Sequence, residues 1–191
     1  AIAIHGGAGL SSKAVLSTER QSACENALSE AVSCGYRVLE ANGSALEAVM
    51  ASVVYLEDCP LFNAGKGSVF SAEGRNEMDA SIMDGTSHAA GAIAGVLTPK
   101  NPILGAHAVL QHSPHVLLSG SGADRFIQEQ GLEQATADYF RTEERWKQLL
   151  RARGNNQIAL DHDTENVYGT VGAVALDHAG RLAAGSSTGG M

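Results

Sequence analysis

One threonine near the end of the sequence has the setting of a concealed nucleophile. Thr170 follows Gly169 and precedes the apolar run Val171–Leu176. A threonine hydroxyl is unreactive at neutral pH, but cleavage of the Gly169–Thr170 bond would give Thr170 a free α-amine beside its own hydroxyl. Because an α-amine has a pKa of about 8, it can serve as the general base for that hydroxyl. The pattern therefore indicates an active site that forms by self-cleavage.

The same residues also describe an ordinary buried strand that begins with a β-branched residue. Three further motifs favour the catalytic interpretation, namely residues 5–9 (HGGAG), 60–65 (PLFNAG) and 187–190 (STGG). Together with Thr170 they resemble the plant-type L-asparaginase and isoaspartyl peptidase family of N-terminal nucleophile hydrolases, peptidase family T2. The resemblance runs along the whole chain, and the motifs occur in the family's order.

This resemblance implies an α+β fold, the αββα four-layer sandwich in which two β-sheets lie between helical layers. Residues 1–191 would form a single N-terminal nucleophile hydrolase domain, with 1–169 as the α-subunit portion and 170–191 as the start of the β-subunit portion. Family members continue well past residues 187–190, into an arginine, an aspartate and a Thr-Gly segment that bind substrate. We therefore expect the domain to be incomplete at its C-terminus, as an uncleaved or truncated precursor.

The resemblance also implies an activity and its residues. The reaction would be hydrolysis of β-aspartyl amide bonds in isoaspartyl dipeptides and L-asparagine, with Thr170 as the nucleophile. Thr188 would form a hydrogen bond near that nucleophile, Asn63 would order its surroundings, and Gly169 would supply the carbonyl that is attacked during self-cleavage. On the residues alone, Thr188 is equally typical of a turn.

No catalytic cofactor is expected, but the resemblance implies a structural sodium ion held by main-chain oxygens. Those oxygens would belong to Leu56, Glu57, Cys59, Phe62, Ala64 and Lys66. The residues alone favour a helix end followed by a strand, because main-chain ligands leave no signature in the side chains.

Other functions are compatible with parts of the sequence. Residues 185–189 fit the G-x-S-x-G pattern of a serine-hydrolase elbow, but that elbow requires a helix after the serine and then an acid and a histidine. Two further alternatives stay open: a catalytically inactive family member that acts as a scaffold, and a glycosylasparaginase-like amidohydrolase.

Charge and cysteine content restrict the partners and the compartment. The formal net charge of −8 disfavours nucleic acid, and the mild basic cluster at 141–153 contains acids and is expected to be a solvated helix face. Three cysteines without a C-x-x-C pair, and the lack of a long apolar stretch, predict no membrane span and a cytoplasmic location. We expect small-molecule substrates, and the family implies an α2β2 homo-oligomer of cleaved protomers.

The elements that must position these residues alternate between strands and helices. A first strand at 1–4 is followed by a helix at 18–41 with a Thr18–Gln21 capping box, and by a helix that Ser44 and Glu47 cap. The remaining predictions are short antiparallel strands at 67–70, 80–83 and 91–96, helices at 101–112, 122–131 and 136–152, a flexible loop at 154–167, and a hairpin of 170–176 and 181–184.

Overall fold

The computed structural model describes residues 1–7, 17–154 and 169–190. Its helices are α1 (Thr18–Glu40), α2 (Ala45–Asp58), α3 (Pro102–His112), α4 (Gly120–Glu129), α5 (Ala137–Phe140) and α6 (Glu143–Gly154), with a short 3-10 turn at Gly65–Gly67. Its strands are β1 (Ile2–His5), β2 (Met78–Asp84), β3 (Ala90–Val96), β4 (Leu117–Ser119), β5 (Val171–Leu176) and β6 (Leu182–Gly189). Apart from Gly154, the predicted flexible loop lies outside the described residues.

The six strands form one sheet in the order β1-β5-β6-β2-β3-β4. All neighbours are antiparallel except β3 and β4, which are parallel. The predicted C-terminal hairpin is confirmed as β5 and β6, and it lies in the interior of the sheet between β1 and β2. Strands at such positions have both edges hydrogen-bonded, which holds their side chains at fixed places.

Helices cover one face of this sheet. On β2 the side chains of Met78, Ala80 and Ile82 are buried, whereas the intervening Ser81 and Met83 are exposed. A Cβ added at Gly185 of β6 would lie 2.8 Å from Val49 of α2. Because alternate residues of a strand point to opposite faces, these contacts identify the side on which the helices pack.

The opposite face of the sheet is exposed and carries apolar side chains. Met83, Val174, Leu176 and Leu182 are between 40% and 53% exposed, and the strand register places them on the same side. The predicted α+β fold, with helices packed against a sheet, is confirmed. Among the described residues the strands belong to a single sheet, so the second sheet of the four-layer sandwich stays a prediction.

The N-terminal ends of the first two helices follow capping rules. Ser44 and Glu47 form the predicted capping box of α2, with each side chain bonded to the other residue's backbone N–H. The prediction that Thr18 caps α1 is wrong, since Thr18 already lies in the helix. Ser17 has extended backbone angles and accepts a hydrogen bond from the N–H of Arg20, which is the geometry that an N-cap requires.

The strand predicted at 67–70 is absent from the described structure, and side chains explain why. Asn63 Oδ1 accepts a hydrogen bond from the N–H of Val69, while Asn76 Nδ2 donates to the carbonyls of Ser68 and Val69. The backbone groups that a sheet would need are therefore already bonded to amide side chains.

The helix predicted at 136–152 is divided into α5 and α6. Arg141 has extended backbone angles, and the hydroxyl of Thr142 accepts from the N–H of Arg145, so that Thr142 starts a new helix as its cap.

The expectation that 141–153 is a solvated face is also wrong at one position. Arg145 is only 2% exposed and its Nε donates to the carbonyl of Gly67 at 2.7 Å.

None of the helices in the described ranges is long and apolar enough to cross a bilayer. Cys24, Cys34 and Cys59 are free thiols. Burial is the largest influence on two of them, and it raises the pKa of Cys24 and of Cys59. Both thiols are therefore poorly suited to act as nucleophiles.

Candidate active site

Thr170 and Thr188 are neighbours because of the register of the C-terminal hairpin. Val171 of β5 pairs with Ser187 of β6, so extending the pairing by one residue brings Thr170 opposite Thr188. The Oγ1 of Thr170 donates to the Oγ1 of Thr188 at 3.0 Å, and Thr188 Oγ1 donates onward to the carbonyl of Gly189 at 3.0 Å. The hydroxyl that could attack is thus held by a two-step relay that ends on the backbone.

Gly7, which follows β1, lies directly against Gly169. Gly7 has a φ of +133°, and a Cβ there would be 2.6 Å from the nitrogen and 3.0 Å from the oxygen of Gly169. Only glycine fits such an approach without strain. A second glycine, Gly172, faces His5 in the same way, since a Cβ would lie 2.5 Å from His5 Nε2. The HGG motif therefore packs beside the Gly169–Thr170 bond.

Asn63 is buried next to the strand that bears Thr188. Its carbonyl accepts from the N–H of Gly189 at 3.1 Å, and its Oδ1 accepts from the N–H of Val69 at 2.9 Å. A Cβ added at Gly189 would collide with Asn63 Oδ1 and would lie 2.7 Å from the Cβ of Ser68. Asn63 Nδ2 has no hydrogen-bond partner among the described residues, which leaves a buried donor next to the end of β6.

The segment that the sequence associates with sodium contains turns that main-chain hydrogen bonds close. The carbonyl of Leu56 accepts from Cys59 at 3.3 Å, and that of Ala64 accepts from Gly67 at 3.1 Å. Gly65 has a φ of +50°, and a Cβ added there would collide with the carbonyl of Glu57. A Cβ added at Gly67 would collide with the carbonyl of Phe62.

A hard cation requires such a set of oxygens, and each carbonyl has two lone pairs. The Nζ of Lys66 lies 5.3 Å from the ring centre of Tyr139, so its charge is directed to that ring. Within the described ranges, no three His, Cys, Asp or Glu side chains gather as metal ligands. The sodium site formed by main-chain oxygens of 56–66 therefore stays a prediction.

The side chain of Glu57 points into the core from the same segment. It is fully buried, and its Oε1 accepts from the N–H of Ile103 at 2.9 Å. Burial raises the pKa of Glu57 to about 8, although the Ser187 hydroxyl and the Ile103 N–H act in the opposite direction. The carboxyl group of Glu57 therefore joins the last turn of α2 to the start of α3.

Sequence reasoning missed two residues of this region. In the sequence, Gly7 is recognisable only as part of a motif. Its contact with Gly169 depends on the pairing of β1 with β5, which no local sequence pattern indicates. The charge pattern predicts that Arg145 lies on a solvated face, yet its Nε donates to the carbonyl of Gly67 in the turn that follows Asn63. Its spacing of four residues from the buried Leu149 was the available signal, since that spacing repeats on one side of a helix.

The serine-hydrolase alternative is wrong. Residues 185–189 lie inside strand β6 rather than at a turn from a strand into a helix. The Ser187 side chain is 1% exposed and points to the side of the helices. An elbow must instead present its serine at an exposed turn.

The comparison with known protein families agrees with the geometry of this site. A family model described as Asparaginase matches residues 1–191. The chain belongs to this asparaginase family. The family prediction made from Thr170 and the three motifs is therefore confirmed.

Curated relatives within the family are similar over the full length of this chain. They include isoaspartyl peptidases from Salmonella typhimurium, 49% identical, and from Escherichia coli, 48% identical. The human isoaspartyl peptidase/L-asparaginase is 39% identical. These alignments cover 100% of this chain but 62%, 61% and 60% of the respective relatives, so the chain spans about three fifths of their length.

Proposed function

We propose that the full-length protein cleaves itself between Gly169 and Thr170 and then hydrolyses β-aspartyl amide bonds, as an isoaspartyl peptidase and L-asparaginase. The observation that carries this proposal is the 3.0 Å hydrogen bond between the Thr170 and Thr188 hydroxyls, directly after Gly169. The names of the relatives, which are isoaspartyl peptidases and asparaginases, support the substrate class.

Self-cleavage begins with the Thr170 hydroxyl. Its Oγ1 attacks the carbonyl carbon of Gly169, the C–N bond to Thr170 breaks, and the acyl group moves from nitrogen to oxygen as an ester. Water then hydrolyses the ester, which leaves a carboxylate on Gly169 and restores the hydroxyl beside a free amine on Thr170. The close packing of Gly7 on Gly169 supports this step, because it confines the scissile peptide.

Turnover uses the amine that cleavage releases. The Thr170 amine removes the proton of its own Oγ1, which attacks the β-amide carbon of the substrate and expels ammonia or an amino acid. Water hydrolyses the β-aspartyl ester that results, and aspartate leaves. Thr188 orients the nucleophile in both reactions, and Asn63 orders the surroundings of the nucleophile through its hydrogen bonds to Gly189 and Val69.

Under this proposal, sodium has a structural role. Main-chain oxygens of Leu56, Glu57, Cys59, Phe62, Ala64 and Lys66 would hold the ion. Bound sodium would supply a positive charge that stabilises the turn that carries Asn63. No catalytic cofactor is required, because the nucleophile and the base both belong to Thr170.

Assembly and location complete the proposal. Residues 1–169 belong to the first fragment and 170–191 open the second, and two copies of each fragment form an α2β2 homo-oligomer. Native mass spectrometry of the full-length protein tests this stoichiometry. The three free thiols support a reducing compartment, and we place the protein in the cytoplasm.

Substrate assays of the full-length protein test the function. We expect the cleaved wild-type protein to release aspartate from an isoaspartyl dipeptide and from L-asparagine, and Thr170→Ala to release none. A wild-type protein that cleaves itself but hydrolyses neither compound would contradict the substrate class and favour the scaffold alternative.

A further inference from the structure

A buried arginine from α6 binds the turn that runs from Asn63 to Val69. Arg145 is 2% exposed, and its Nε donates to the carbonyl of Gly67 at 2.7 Å. Its Nη1 donates to Oε1 of Gln148, further along the same helix, at 3.1 Å. A hydrogen bond from a charged donor is shorter and stronger than a neutral one. Because arginine is rarely buried, the contact indicates a role beyond packing.

Two asparagine side chains hold the same turn from other directions. Asn63 Oδ1 accepts from the N–H of Val69 at 2.9 Å. Asn76 Nδ2 donates to the carbonyls of Ser68 and Val69 at 2.8 and 3.3 Å. The backbone of the turn is therefore fixed by its own asparagine, by a second asparagine and by the guanidinium of Arg145.

The strand that bears Thr188 packs against this turn. The N–H of Gly189 donates to the carbonyl of Asn63 at 3.1 Å, and a Cβ added at Gly189 would lie 2.7 Å from the Cβ of Ser68. Thr188 Oγ1 donates to the carbonyl of Gly189 and accepts from Thr170 Oγ1, both at 3.0 Å. Displacement of the turn would therefore move the hydroxyl that orients the nucleophile.

We propose that Arg145 is a positioning residue, which sets the place of the threonine pair by holding the turn of 63–69 through the carbonyl of Gly67. The inference rests on the proposed function, because the expected effect is on self-cleavage and turnover at Thr170. Arg145 acts on Thr170 through the turn and the end of β6, rather than by contact with the reacting atoms.

The contact also matters after cleavage. Arg145 and the turn would belong to the first fragment, whereas Gly189 and both threonines would belong to the second. The hydrogen bond from Gly189 to Asn63 would then join two separate chains. A turn that is already rigid holds the second chain at a smaller cost in conformational freedom. Misplacement of a reacting group by about 1 Å lowers rates by about a hundredfold, so even a small shift of the turn is measurable.

Replacement of Arg145, with a control on the same helix, tests this role. Arg145→Met keeps a long side chain but removes the donor, and in the full-length protein we expect it to slow formation of the fragment that begins at Thr170 by about tenfold. Leu149→Ala truncates a side chain of α6 that is 7% exposed and leaves the donor in place. We expect this control to lower Tm, because it creates a cavity, and to cleave at the wild-type rate.

Conservative replacements separate hydrogen-bond donation from packing, and they decide the matter if Arg145→Met does not fold. Arg145→Lys retains a charged donor, so we expect cleavage within about threefold of the wild-type rate. Arg145→Gln retains only a neutral donor on a shorter side chain and should cleave more slowly than the lysine variant. Circular dichroism establishes that each variant is folded before its cleavage rate is measured.

Steady-state kinetics provide a readout that a merely structural role would not change. In cleaved Arg145→Gln protein, we expect kcat for an isoaspartyl dipeptide to fall and KM to stay within about twofold of the wild-type value. The reason is that the turn positions the nucleophile, whereas the buried Arg145 does not face the substrate. An increase in KM with unchanged kcat would contradict the positioning role.

The outcomes distinguish this role from the function on which it rests. If wild-type protein cleaves and folded Arg145→Gln cleaves as fast as wild type, the role of Arg145 is overturned and the proposed function stands. Cleavage of Arg145→Lys as slow as that of Arg145→Gln, or equal slowing by Leu149→Ala, would also overturn it. Failure of the wild-type protein to cleave would overturn the proposed function, and this role with it.

Discussion

At the scale of residues, the candidate site depends on a hydroxyl relay and on glycines that admit close neighbours. Thr170 donates to Thr188, which donates to the carbonyl of Gly189. This direction leaves the lone pairs of Thr170 Oγ1 free for attack. Asn63 contacts the same strand one residue further along, where the absence of a side chain at Gly189 makes room for it.

Replacement of Thr188 tests the relay. Thr188→Val keeps the shape but removes the hydroxyl, and we expect self-cleavage of the full-length protein to slow by about 10- to 100-fold, as loss of one partner of a half-buried hydrogen bond predicts. Thr188→Ser retains the hydroxyl and should cleave at close to the wild-type rate. Timed gel analysis measures both rates, and equal rates for Val and Ser would contradict the relay.

Adding one methyl group at Gly189 tests the contact with Asn63. We expect Gly189→Ala to abolish detectable cleavage, because its Cβ would collide with Asn63 Oδ1 and with Ser68. Gly122→Ala is the control, since a Cβ there has no neighbour within 4 Å. Normal cleavage by Gly189→Ala would show that Asn63 does not need its present position.

At the scale of elements, the catalytic hairpin is attached to α2 at both ends of β6. The turn between β5 and β6 is held by Asp177, whose carboxylate accepts from the N–H groups of Ala179 and Arg181, from Arg181 Nε and from the N–H of Ala45 at the start of α2. At the other end, Gly189 bonds to Asn63, which follows α2. Helix α2 is therefore the rigid support of the two threonines.

The stability that Asp177 supplies should depend on pH. Burial raises its pKa, but hydrogen bonds from Arg181, Ala45 and Ala179 outweigh that effect and lower the pKa from 3.8 to about 2. A carboxyl with a lowered folded-state pKa stabilises the fold above its unfolded pKa, and this contribution is lost as pH falls from about 4 to about 2.

Urea denaturation at several pH values measures this contribution. We expect Asp177→Asn to lower the midpoint most at pH 5 and above, and the difference from wild type to shrink toward pH 2. Glu133→Gln is the control, because Glu133 is 69% exposed in its ion pair with Lys100 and surface pairs contribute little. A difference that stays constant with pH would contradict the assignment.

Much of the element structure could be predicted from local patterns, but contacts across the sheet could not. Ser44 and Glu47 define the start of α2 by a short-range rule, and the short apolar run at 171–176 predicts β5. The strand predicted at 67–70 fails because Asn63 and Asn76 take its backbone groups. The family resemblance predicts that Thr170 and Thr188 lie close together. The register of β5 against β6 that brings them together depends on strand pairing, which single-residue propensities do not determine.

At the scale of the whole molecule, one face of the sheet carries exposed apolar side chains in the part of the chain that the structure describes. It bears the threonine pair together with Met83, Val174, Leu176 and Leu182. A four-layer sandwich would cover these side chains with a second sheet. Relatives of this chain are longer than the matched region, and we propose that the corresponding part of the full-length protein packs on this face.

Charge placed on this face tests the four-layer prediction. In full-length protein with Thr170→Ala, which keeps the chain in one piece, we expect Val174→Lys to lower the free energy of unfolding by about 2 to 4 kcal/mol, because a covered site would bury an unpaired charge. Leu150→Lys, at a side chain that is 50% exposed on α6, should change it by less than about 0.5 kcal/mol. Equal and small effects would indicate that the face is open.

The central claim is that Thr170 becomes an amino terminus. Denaturing mass spectrometry with amino-terminal sequencing of incubated full-length protein tests it most directly, with Thr170→Ala as the control. We predict a fragment that begins Thr170-Val171-Gly172 in the wild-type protein and an intact chain in the variant. An intact wild-type chain after days of incubation, or the same cut in Thr170→Ala, would contradict the account.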